Sequence, residues 1–240
     1  MATTDTALLG ILMLDTKFPR IPGDVGNPDT WDFPVRYSVV RGATPQAVVC
    51  QDPEPFVRAF IAAGQDLVSG GCRGIATTCG FLSLIRPRLA KELGVPVAAS
   101  ALEQAAQIQA TLGPGRRIGI LTISAASLTG QHLAVAGVPA NAVVCGVEET
   151  DFARSILGND TSLDVTQARH DLSEAAMQMT ADAPDIGAII LECTNMVPYA
   201  ADLRQELELP IYSIYSFVTW FQAGLMPRAF DSRLIDPRLG

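Results

Sequence analysis

Continuously apolar runs recur along the chain, and amphipathic stretches of helical length separate them. The runs lack the alternation of apolar and polar residues that a sheet with one solvent-facing side produces. They are therefore typical of parallel strands that are covered on both faces. The predicted strands span residues 7–14, 74–79, 95–100, 117–124, 141–147, 186–193 and 209–215.

Two of the intervening stretches carry clear helix signals. Residues 52–71 have proline in their first turn and Gly70–Gly71 at their end, and residues 164–184 end at Pro184. Proline early in a helix and glycine just after it are common start and stop signals. The alternation of strands and helices predicts an α/β fold with mostly parallel sheets and right-handed crossovers.

Residues 15–55 interrupt this alternation. The segment is rich in proline and glycine and too long for a plain connection, and such loops are often functional. We expect it to form a cover or wall over the site, with a strand at residues 35–40 inside it. Its basic side chains are candidates for pairing with a substrate carboxylate, although solvated loop charges are the plainer interpretation. They are Lys17, Arg20, Arg36 and Arg41.

The composition narrows the class of protein and its partners. With 240 residues, of which 48% are apolar and 18% charged, the chain is typical of a globular protein with a sizeable core. The net charge of −8 disfavours a nucleic-acid partner. No apolar run reaches the roughly 18 residues of a membrane helix, and the first residues lack the features of a signal peptide. We predict no membrane association.

The cysteine and histidine contents bear on compartment and metal chemistry. The five cysteines include no CxxC pair, which disfavours a disulfide framework and a structural zinc site and favours the cytoplasm. His132 and His170 are the only histidines, which weakens a histidine-ligated metal, a Cys-His protease or a Ser-His-Asp triad. We predict no metal site.

The chain contains an internal repeat. Residues 89–97, LAKELGVPV, match residues 203–211, LRQELELPI, at a constant offset of 114 residues. The same offset, carried back without a gap, superimposes Cys79 on Cys193. A repeat of this length predicts two similar lobes, each with one of these cysteines. The predicted lobes are residues 1–98 with 213–240, and residues 99–212.

Both repeated cysteines close an apolar strand and stand just before a helix. Ligands of open α/β sheets bind outside the carboxyl ends of the strands, so facing lobes would place Cys79 and Cys193 on opposite walls of one cleft. One thiol would remove a proton from a substrate carbon, and the other would supply one from the opposite face. A helix N-terminus lowers the pKa of a nearby thiol and so favours the thiolate. The plainer interpretation is a pair of buried strand-end cysteines, but the ungapped symmetry favours catalysis.

Several motifs resemble the aspartate/glutamate racemase superfamily, which also includes hydantoin racemases, maleate isomerases and arylmalonate decarboxylases. They are TTCGF at 77–81, ECTNM at 192–196, LLGILMLD at 8–15 and the two-lobe repeat. The resemblance covers essentially the whole chain. It implies two α/β lobes related by a pseudo-twofold axis, an active site with two cysteines as the acid/base pair, no cofactor and a homo-oligomer. A cysteine in both lobes disfavours the decarboxylase, which resembles this family but keeps only one.

Both cysteine motifs depart from the amino-acid racemases of that family. Those enzymes usually follow the first cysteine with Asn-Thr, whereas Gly80 and Phe81 stand here. Gly80 leaves a free backbone N–H and more room, and Phe81 would suit a bulkier or more apolar substrate such as a hydantoin. Glutamate racemases often have a histidine after the second Cys-Thr, where this chain has Asn195.

Two residues at strand ends are further candidates for substrate binding. Asp15 ends the first predicted strand, where the resemblance implies an aspartate near one cysteine. It would activate Cys79 or bind a substrate amine, and a helix cap or turn is its plainer role. Ser124 ends the strand of residues 117–124 and would lie near the cleft by the same strand-end logic.

The residues around the second cysteine supply the remaining candidates. Thr194 would donate its hydroxyl and backbone N–H to a substrate carboxylate at a helix N-terminus, and Asn195 would hydrogen-bond the substrate. Strand alternation directs Thr78 and Glu192 away from the side on which the cysteines lie, so both rank lower.

We therefore predict an isomerase, namely a cofactor-independent racemase or epimerase that uses two cysteines on a small amino acid, a related carboxylate or a hydantoin. Two alternatives stay open. A maleate cis-trans isomerase would attack a double bond with one nucleophilic cysteine, and a bilobed binding protein would close on its ligand without catalysis. In each case the partner is a small molecule.

Overall fold

The computed structural model describes residues 8–230, which contain two four-stranded parallel sheets. The first sheet has the spatial order β2-β1-β3-β4, with β1 at Leu9–Leu14, β2 at Val35–Val40, β3 at Gly74–Thr77 and β4 at Val97–Ala98. The second has the order β6-β5-β7-β8, with β5 at Arg117–Thr122, β6 at Val143–Gly146, β7 at Ile186–Leu191 and β8 at Ile211–Tyr212. The identical strand order confirms the predicted pair of α/β lobes.

Helices cover both sheets within the described residues. They are α1 (Pro45–Val49), α2 (Val57–Ser69), α3 (Arg86–Leu93), α4 (Ala105–Thr111), α5 (Gly130–Val135), α6 (Asp151–Gly158), α7 (Val165–Asp182), α8 (Ala200–Leu207) and α9 (Ile214–Leu225). Short 3-10 helices lie at Pro28–Thr30, Glu54–Phe56, Gly80–Leu84, Ala101–Gln104 and Thr194–Tyr199.

The predicted elements are confirmed, but the strands are shorter than their apolar runs. Each predicted run contains one strand, and the run at 35–40 forms β2, which pairs with β1 inside the long loop. The predicted helix at 164–184 is α7, whose first turn is capped because Asp164 Oδ1 accepts hydrogen bonds from two backbone N–H groups at 3.0 Å. The last residues of several apolar runs form no strand hydrogen bonds. Two of these run ends contain Cys79 and Cys193.

The core explains why the strands are apolar on both faces. All four residues of β3 are buried, and Leu9, Ile11 and Leu12 of β1 have no exposed surface. Burial of a side chain of this size contributes roughly 1.5–3 kcal/mol before entropy is counted. The two interior strands of each sheet therefore provide much of the stabilisation of their lobe.

The last helix packs on the sheet that begins the chain. Helix α9 contacts β3 and β4 of the first sheet and also β8 of the second, and the side chains of Phe221 and Leu225 lie against Gly74. Helix α4 contacts β5 of the second sheet. The lobe boundaries stay a prediction, and their parts at 1–7 and 231–240 lie outside the described residues.

The repeat is visible in the segments that follow the cysteines. Cys79 and Cys193 each precede a 3-10 helix that leads into an eight-residue helix, α3 or α8. Both helices end at a residue in the left-handed conformation, which is Gly94 (φ 65°) after α3 and Glu208 (φ 54°) after α8. Only glycine adopts this conformation without a steric cost, so the second copy carries strain that the first avoids.

We expect Glu208→Gly to stabilise the protein by about 1 kcal/mol, because a side chain in the left-handed region costs about 1–2 kcal/mol and part of the gain is lost to backbone entropy. Gly94→Ala should destabilise it by about 1 kcal/mol, since no atom lies within 4 Å of the added Cβ and only the backbone conformation opposes it. Urea unfolding measures both changes.

The matched control is Gln205→Gly at an exposed position inside α8. We expect this change to destabilise the protein by about 1 kcal/mol, because glycine is unfavourable in a helix interior. A loss of stability in Glu208→Gly as large as that of Gln205→Gly would contradict the left-handed assignment.

Candidate active site

A small cavity lies between the carboxyl ends of the two central strands, and both repeated cysteines line it. Its free volume is about 20 Å³, which is close to the space that one ordered water molecule needs. The walls come from both lobes and from the long loop. The lining residues are Leu14, Thr16, Phe18, Arg20, Pro45, Val49, Thr78, Cys79, Gly80, Phe81, Ile123, Ile156, Leu157, Glu192, Cys193, Thr194 and Asn195.

The Cys79 thiol is held in its neutral form by its surroundings. Burial, followed by the charge of Glu192, raises the pKa of Cys79 to about 12. The backbone N–H groups of Phe81 and Leu82 lower that pKa, and Arg20 lowers it further. The predicted effect of the helix N-terminus is present, but burial and the carboxylate outweigh it, so the expectation of a lowered thiol pKa is wrong.

The Cys193 thiol is in a similar environment. Burial raises the pKa of Cys193 well above its usual value, and the charge of Glu192 adds to this effect. The backbone N–H of Asn195 lowers it, whereas negative charge on Cys79 or Asp24 raises it. A negative charge on any one of the two thiols and the carboxylate opposes ionisation of the other two. Simultaneous ionisation of all three groups is therefore unfavourable.

Glu192 is the acidic residue of the cavity wall, contrary to the expectation from strand alternation. Its side chain has no exposed surface, and its Oε2 accepts a hydrogen bond from Thr122 Oγ1 at 2.8 Å. Burial raises the pKa of Glu192 to about 7, and the Thr122 hydrogen bond works in the opposite direction. Strand β7 ends at Leu191, so the alternation of the pleat does not extend to the side chains that follow.

Glycine at position 80 is explained by this carboxylate. A Cβ placed on Gly80 would overlap Oε1 of Glu192 and lie 2.9 Å from the carbonyl oxygen of the same residue. The room that Gly80 leaves is therefore occupied by Glu192. The next residue, Phe81, is buried in the cavity wall, and its ring contacts the ring of His132 edge-on with centroids 5.1 Å apart.

The long loop carries a buried ion pair beside the cavity. Arg20 Nη1 lies 2.5 Å from Asp24 Oδ1, and the two side chains are 11% and 4% exposed. Asp24 Oδ2 accepts a hydrogen bond from Asn195 Nδ2 of the second lobe at 2.6 Å. Of the four basic residues in the loop, Arg20 lines the cavity, and sequence analysis had not distinguished it from the others.

Further hydrogen bonds join the loop and the first lobe to the second lobe. The backbone N–H of Lys17 donates to Asn159 Oδ1 at 2.6 Å, and Asn159 Nδ2 donates to the carbonyl of Asp15 at 3.2 Å. Thr194 Oγ1 donates to the carbonyl of Thr78 at 2.7 Å. These bonds hold the long loop against both lobes beside the cavity, and its role as a cover stays a prediction.

Three predicted site residues do not present the expected groups to the cavity. The carboxylate of Asp15 accepts a hydrogen bond from the backbone N–H of Gly42 at 2.9 Å and pairs with Arg41 at 3.3 Å, away from the cysteines. Ser124 hydrogen-bonds Ser127 within a turn and is not part of the cavity wall. The hydroxyl of Thr194 is used by the bond to Thr78, although Thr194 does line the cavity.

The path of the long loop explains why the sequence did not reveal the role of Asp24. Asp24 also accepts a hydrogen bond from the backbone N–H of Gly26 at 2.7 Å, which is a turn pattern that its sequence neighbourhood indicates. Its contacts with Arg20 and Asn195 depend on how the loop crosses to the other lobe. Thr78, which alternation had also directed away, lines the cavity while its Oγ1 accepts from the backbone N–H of Leu14 at 3.1 Å.

Two properties of the wider structure bear on the site. Among residues 8–230, no group of three or more His, Cys, Asp or Glu side chains is arranged to hold a metal ion. In the same part of the chain, no helix has the length and apolar character that crossing a membrane requires.

We expect Gly80→Ala to destabilise the protein by about 2 kcal/mol, because the added methyl group would displace the buried carboxylate of Glu192. The control is Gly224→Ala in α9, where no atom lies within 4 Å of the added Cβ and alanine is the better helix former. Thermal unfolding compares the two variants. Equal stability of both would show that Glu192 does not occupy the space beside Gly80.

Comparison with known proteins places the chain in a family. Residues 98–220 match the family model described as Asp/Glu/Hydantoin racemase. The chain is 28% identical to a dimethylsulfoniopropionate lyase from Durusdinium sp. clade D, over 92% of this chain and 75% of that protein. It is 26% identical to dimethylsulfoniopropionate lyase 5 from Emiliania huxleyi, over 91% of this chain but only 45% of the relative's length.

The fold is shared with the solved structure of a glutamate racemase. Glutamate racemase from Francisella tularensis, in complex with D-glutamate, superposes with a TM-score of 0.57 at 12% identity, over 94% of this chain and 85% of that one. The shared fold agrees with the two parallel sheets, and the family match spans the second lobe with Cys193. This chain belongs to the Asp/Glu/hydantoin racemase family.

Proposed function

We propose that this protein removes a proton from the carbon next to a carboxylate, with Cys79 and Cys193 as the base and the acid. The observation that carries the proposal is the position of both cysteines in the wall of one buried cavity between the lobes. A tetrahedral α-carbon between two thiols loses its proton to one of them, becomes planar and carbanion-like, and gains a proton from the other thiol on the opposite face. The product of that sequence is the racemised or epimerised substrate.

The cavity favours a small substrate with a carboxylate group. Arg20 lines the wall and supplies a planar guanidinium, which binds carboxylates through paired hydrogen bonds. The backbone N–H groups of Phe81, Leu82 and Asn195 already act on the thiols and are directed at negative charge. A carboxylate beside them would align its α-carbon with the cysteines.

Closure of the cover is part of the proposed mechanism. The free volume of about 20 Å³ admits no organic acid, so the loop with Arg20 and Asp24 opens for entry and closes over the substrate. A closed cavity excludes water from the carbanion-like centre and strengthens the interactions that stabilise its charge.

A second candidate reaction is cleavage of dimethylsulfoniopropionate, which is favoured by the names of the curated relatives. The name describes a propionate with a dimethylsulfonium group on the carbon β to the carboxylate. The first step is the same: a thiolate removes the α-proton. The C–S bond then breaks, its electron pair leaves with neutral dimethyl sulfide, and acrylate remains.

The acidic and aromatic side chains near the cysteines support this second candidate. A sulfonium cation is attracted by the carboxylate of Glu192 and by the faces of aromatic rings, and both Phe18 and Phe81 line the cavity. Elimination needs one base and no acid, because the sulfide leaves without a proton. Racemisation needs both cysteines, so the two reactions make different demands on the pair.

The experiment that tests the function is a panel of amino acids, hydantoins and dimethylsulfoniopropionate incubated with the protein in D₂O. We expect deuterium at the α-carbon of at least one carboxylate, read by NMR, or release of dimethyl sulfide, read by gas chromatography. Binding of a ligand without exchange or release, retained when both cysteines are replaced, would contradict catalysis and favour a binding protein.

We expect Cys79→Ser and Cys193→Ser each to reduce racemisation by about 10²–10⁴-fold, because each removes one member of the acid/base pair. Elimination should be lost to that extent in only one of the two variants. Cys50→Ser, at an exposed cysteine, is the control and should retain wild-type turnover. Full activity in both single variants would contradict the role of the thiols.

We expect Arg20→Gln to raise KM by about 10–100-fold, since a hydrogen bond to a charged group contributes about 1.5–3 kcal/mol. Arg41→Gln is the matched control, because Arg41 belongs to the same loop but is 83% exposed and pairs with Asp15. Initial-rate kinetics on the substrate found in the panel measure both. Equal KM values in the two variants would remove Arg20 from substrate binding.

A further inference from the structure

The cavity contains a buried base that the proposed reaction has not yet used. Among the residues that line it, within the part of the chain that the structure describes, Glu192 is the carboxylate and there is no histidine. The two thiols are neutral in this environment, and a neutral thiol is a poor base. A group in the cavity that accepts the thiol proton would remove this obstacle.

Glu192 is placed to interact with both cysteines. It immediately precedes Cys193 in the chain, and its Oε1 lies against Gly80, which immediately follows Cys79. The charge of Glu192 is the largest effect on the pKa of each thiol after burial. The same carboxylate therefore acts electrostatically on the two thiols of both lobes.

One oxygen of this carboxylate has no partner. Oε2 accepts the hydrogen bond from Thr122, whereas Oε1 is buried with no hydrogen-bond donor among the described residues. A buried polar atom without a partner costs roughly 1–3 kcal/mol, so native proteins rarely leave one without a reason. A proton that arrives at Oε1 during the reaction would supply the missing partner.

We propose that Glu192 accepts the proton of the cysteine that acts as base and gives a proton up again when the reaction ends. This inference rests on the proposed function of the two thiols. Neither thiol donates a hydrogen bond to Oε1, and Cys193 Sγ donates to Asn195 Oδ1 at 3.7 Å, so the transfer runs through one water molecule, for which the cavity has room. In the first step the S–H bond breaks, the water accepts that proton and gives one of its own to Glu192, and the sulfur keeps the electron pair as a thiolate. The thiolate then removes the α-proton of the substrate and becomes a thiol again.

The proton is accounted for in both candidate reactions. In racemisation the opposite cysteine gives its proton to the substrate, becomes a thiolate, and takes back the proton held by Glu192. In elimination the thiol keeps the substrate proton, and Glu192 releases its proton to water after the product leaves. The cavity carries one negative charge at the start and at the end of each cycle.

The electrostatics of the cavity agree with this exchange. Burial raises the pKa of Glu192 to about 7, so the carboxylate is a far better match to a proton transfer near neutral pH than an exposed glutamate. The titratable groups around Glu192 are the thiols of Cys79 and Cys193, which belong to different lobes. The charged groups are Arg20 and Asp24 of the loop. When Glu192 takes the proton, its repulsion of the new thiolate disappears.

The sign of the pH dependence follows from the direction of transfer. Glu192 must be ionised to accept a proton, so turnover should rise with pH through about 7 and then level off. Without this carboxylate, thiolate would form only by loss of the proton to bulk water. Turnover would then keep rising with pH well above neutrality, because the thiols remain neutral there.

The test compares Glu192→Gln with the wild type in two measurements. We expect turnover at pH 8 to fall by about 10²-fold or more, and the rise near pH 7 to disappear. We expect alkylation of Cys79 and Cys193 by iodoacetamide at pH 8, read by mass spectrometry, to become about tenfold slower than in the wild type, because no carboxylate in the cavity then takes the thiol proton. Cys50 in the same sample is the internal reference, because it is exposed.

Lower turnover together with less reactive thiols is a combination that a structural defect does not produce, because local unfolding exposes buried thiols and speeds their alkylation. The matched control is Glu103→Gln, because burial also raises the pKa of Glu103 to about 7 but this residue does not line the cysteine cavity. Both measurements should be unchanged in that variant. Unchanged turnover in Glu192→Gln, or faster alkylation of both cysteines, would overturn the inference.

Thr122→Val provides a second test that keeps the carboxylate. Loss of the Thr122 hydrogen bond should raise the pKa of Glu192 and move the rise in turnover to higher pH, whereas Thr122→Ser should leave it in place. An unmoved rise in Thr122→Val would contradict the assignment. If the wild type turned over no carboxylate, the proposed function would fail, while the alkylation rates would still decide whether Glu192 controls the thiols.

Discussion

The carboxylate of Glu192 is buried between two cysteines, and this arrangement constrains the rest of the site. Its volume excludes a side chain at position 80, which is why glycine follows Cys79. Its charge, together with burial, keeps both thiols neutral in the closed cavity. In the mechanism that we propose, catalysis moves negative charge from this carboxylate to a sulfur atom.

The long loop beside the cavity bears on substrate entry. Arg20 and Asp24 form a buried ion pair, and Asp24 also binds Asn195 of the opposite lobe. A hydrogen bond to a charged group contributes about 1.5–3 kcal/mol, so we expect a loop held by a few such bonds to open without unfolding of either lobe. A substrate carboxylate that binds Arg20 would compete with Asp24, which couples binding to the position of the loop.

Proteins similar to this chain are named for more than one reaction. A fold of two parallel sheets is shared with a glutamate racemase, whereas relatives that align over most of this chain are named as lyases. In the two reactions that we propose for this protein, removal of a proton next to a carboxylate comes first, and the reactions diverge according to what the substrate carries on the neighbouring carbon. Function therefore follows from the cavity wall and not from the fold.

The sequence by itself determined the parallel strands, the repeat and the correspondence of Cys79 with Cys193 within it. Hydrophobic periodicity and internal similarity can be read directly from the order of residues, without knowledge of tertiary contacts. Only the tertiary structure decided that Glu192 lines the cavity, that Asp15 turns to Arg41 and Gly42, and that Asp24 reaches Asn195. Beyond the end of a strand the pleat no longer dictates which way a side chain points. In a long loop, contacts with the opposite lobe decide its course, and those contacts have no local pattern.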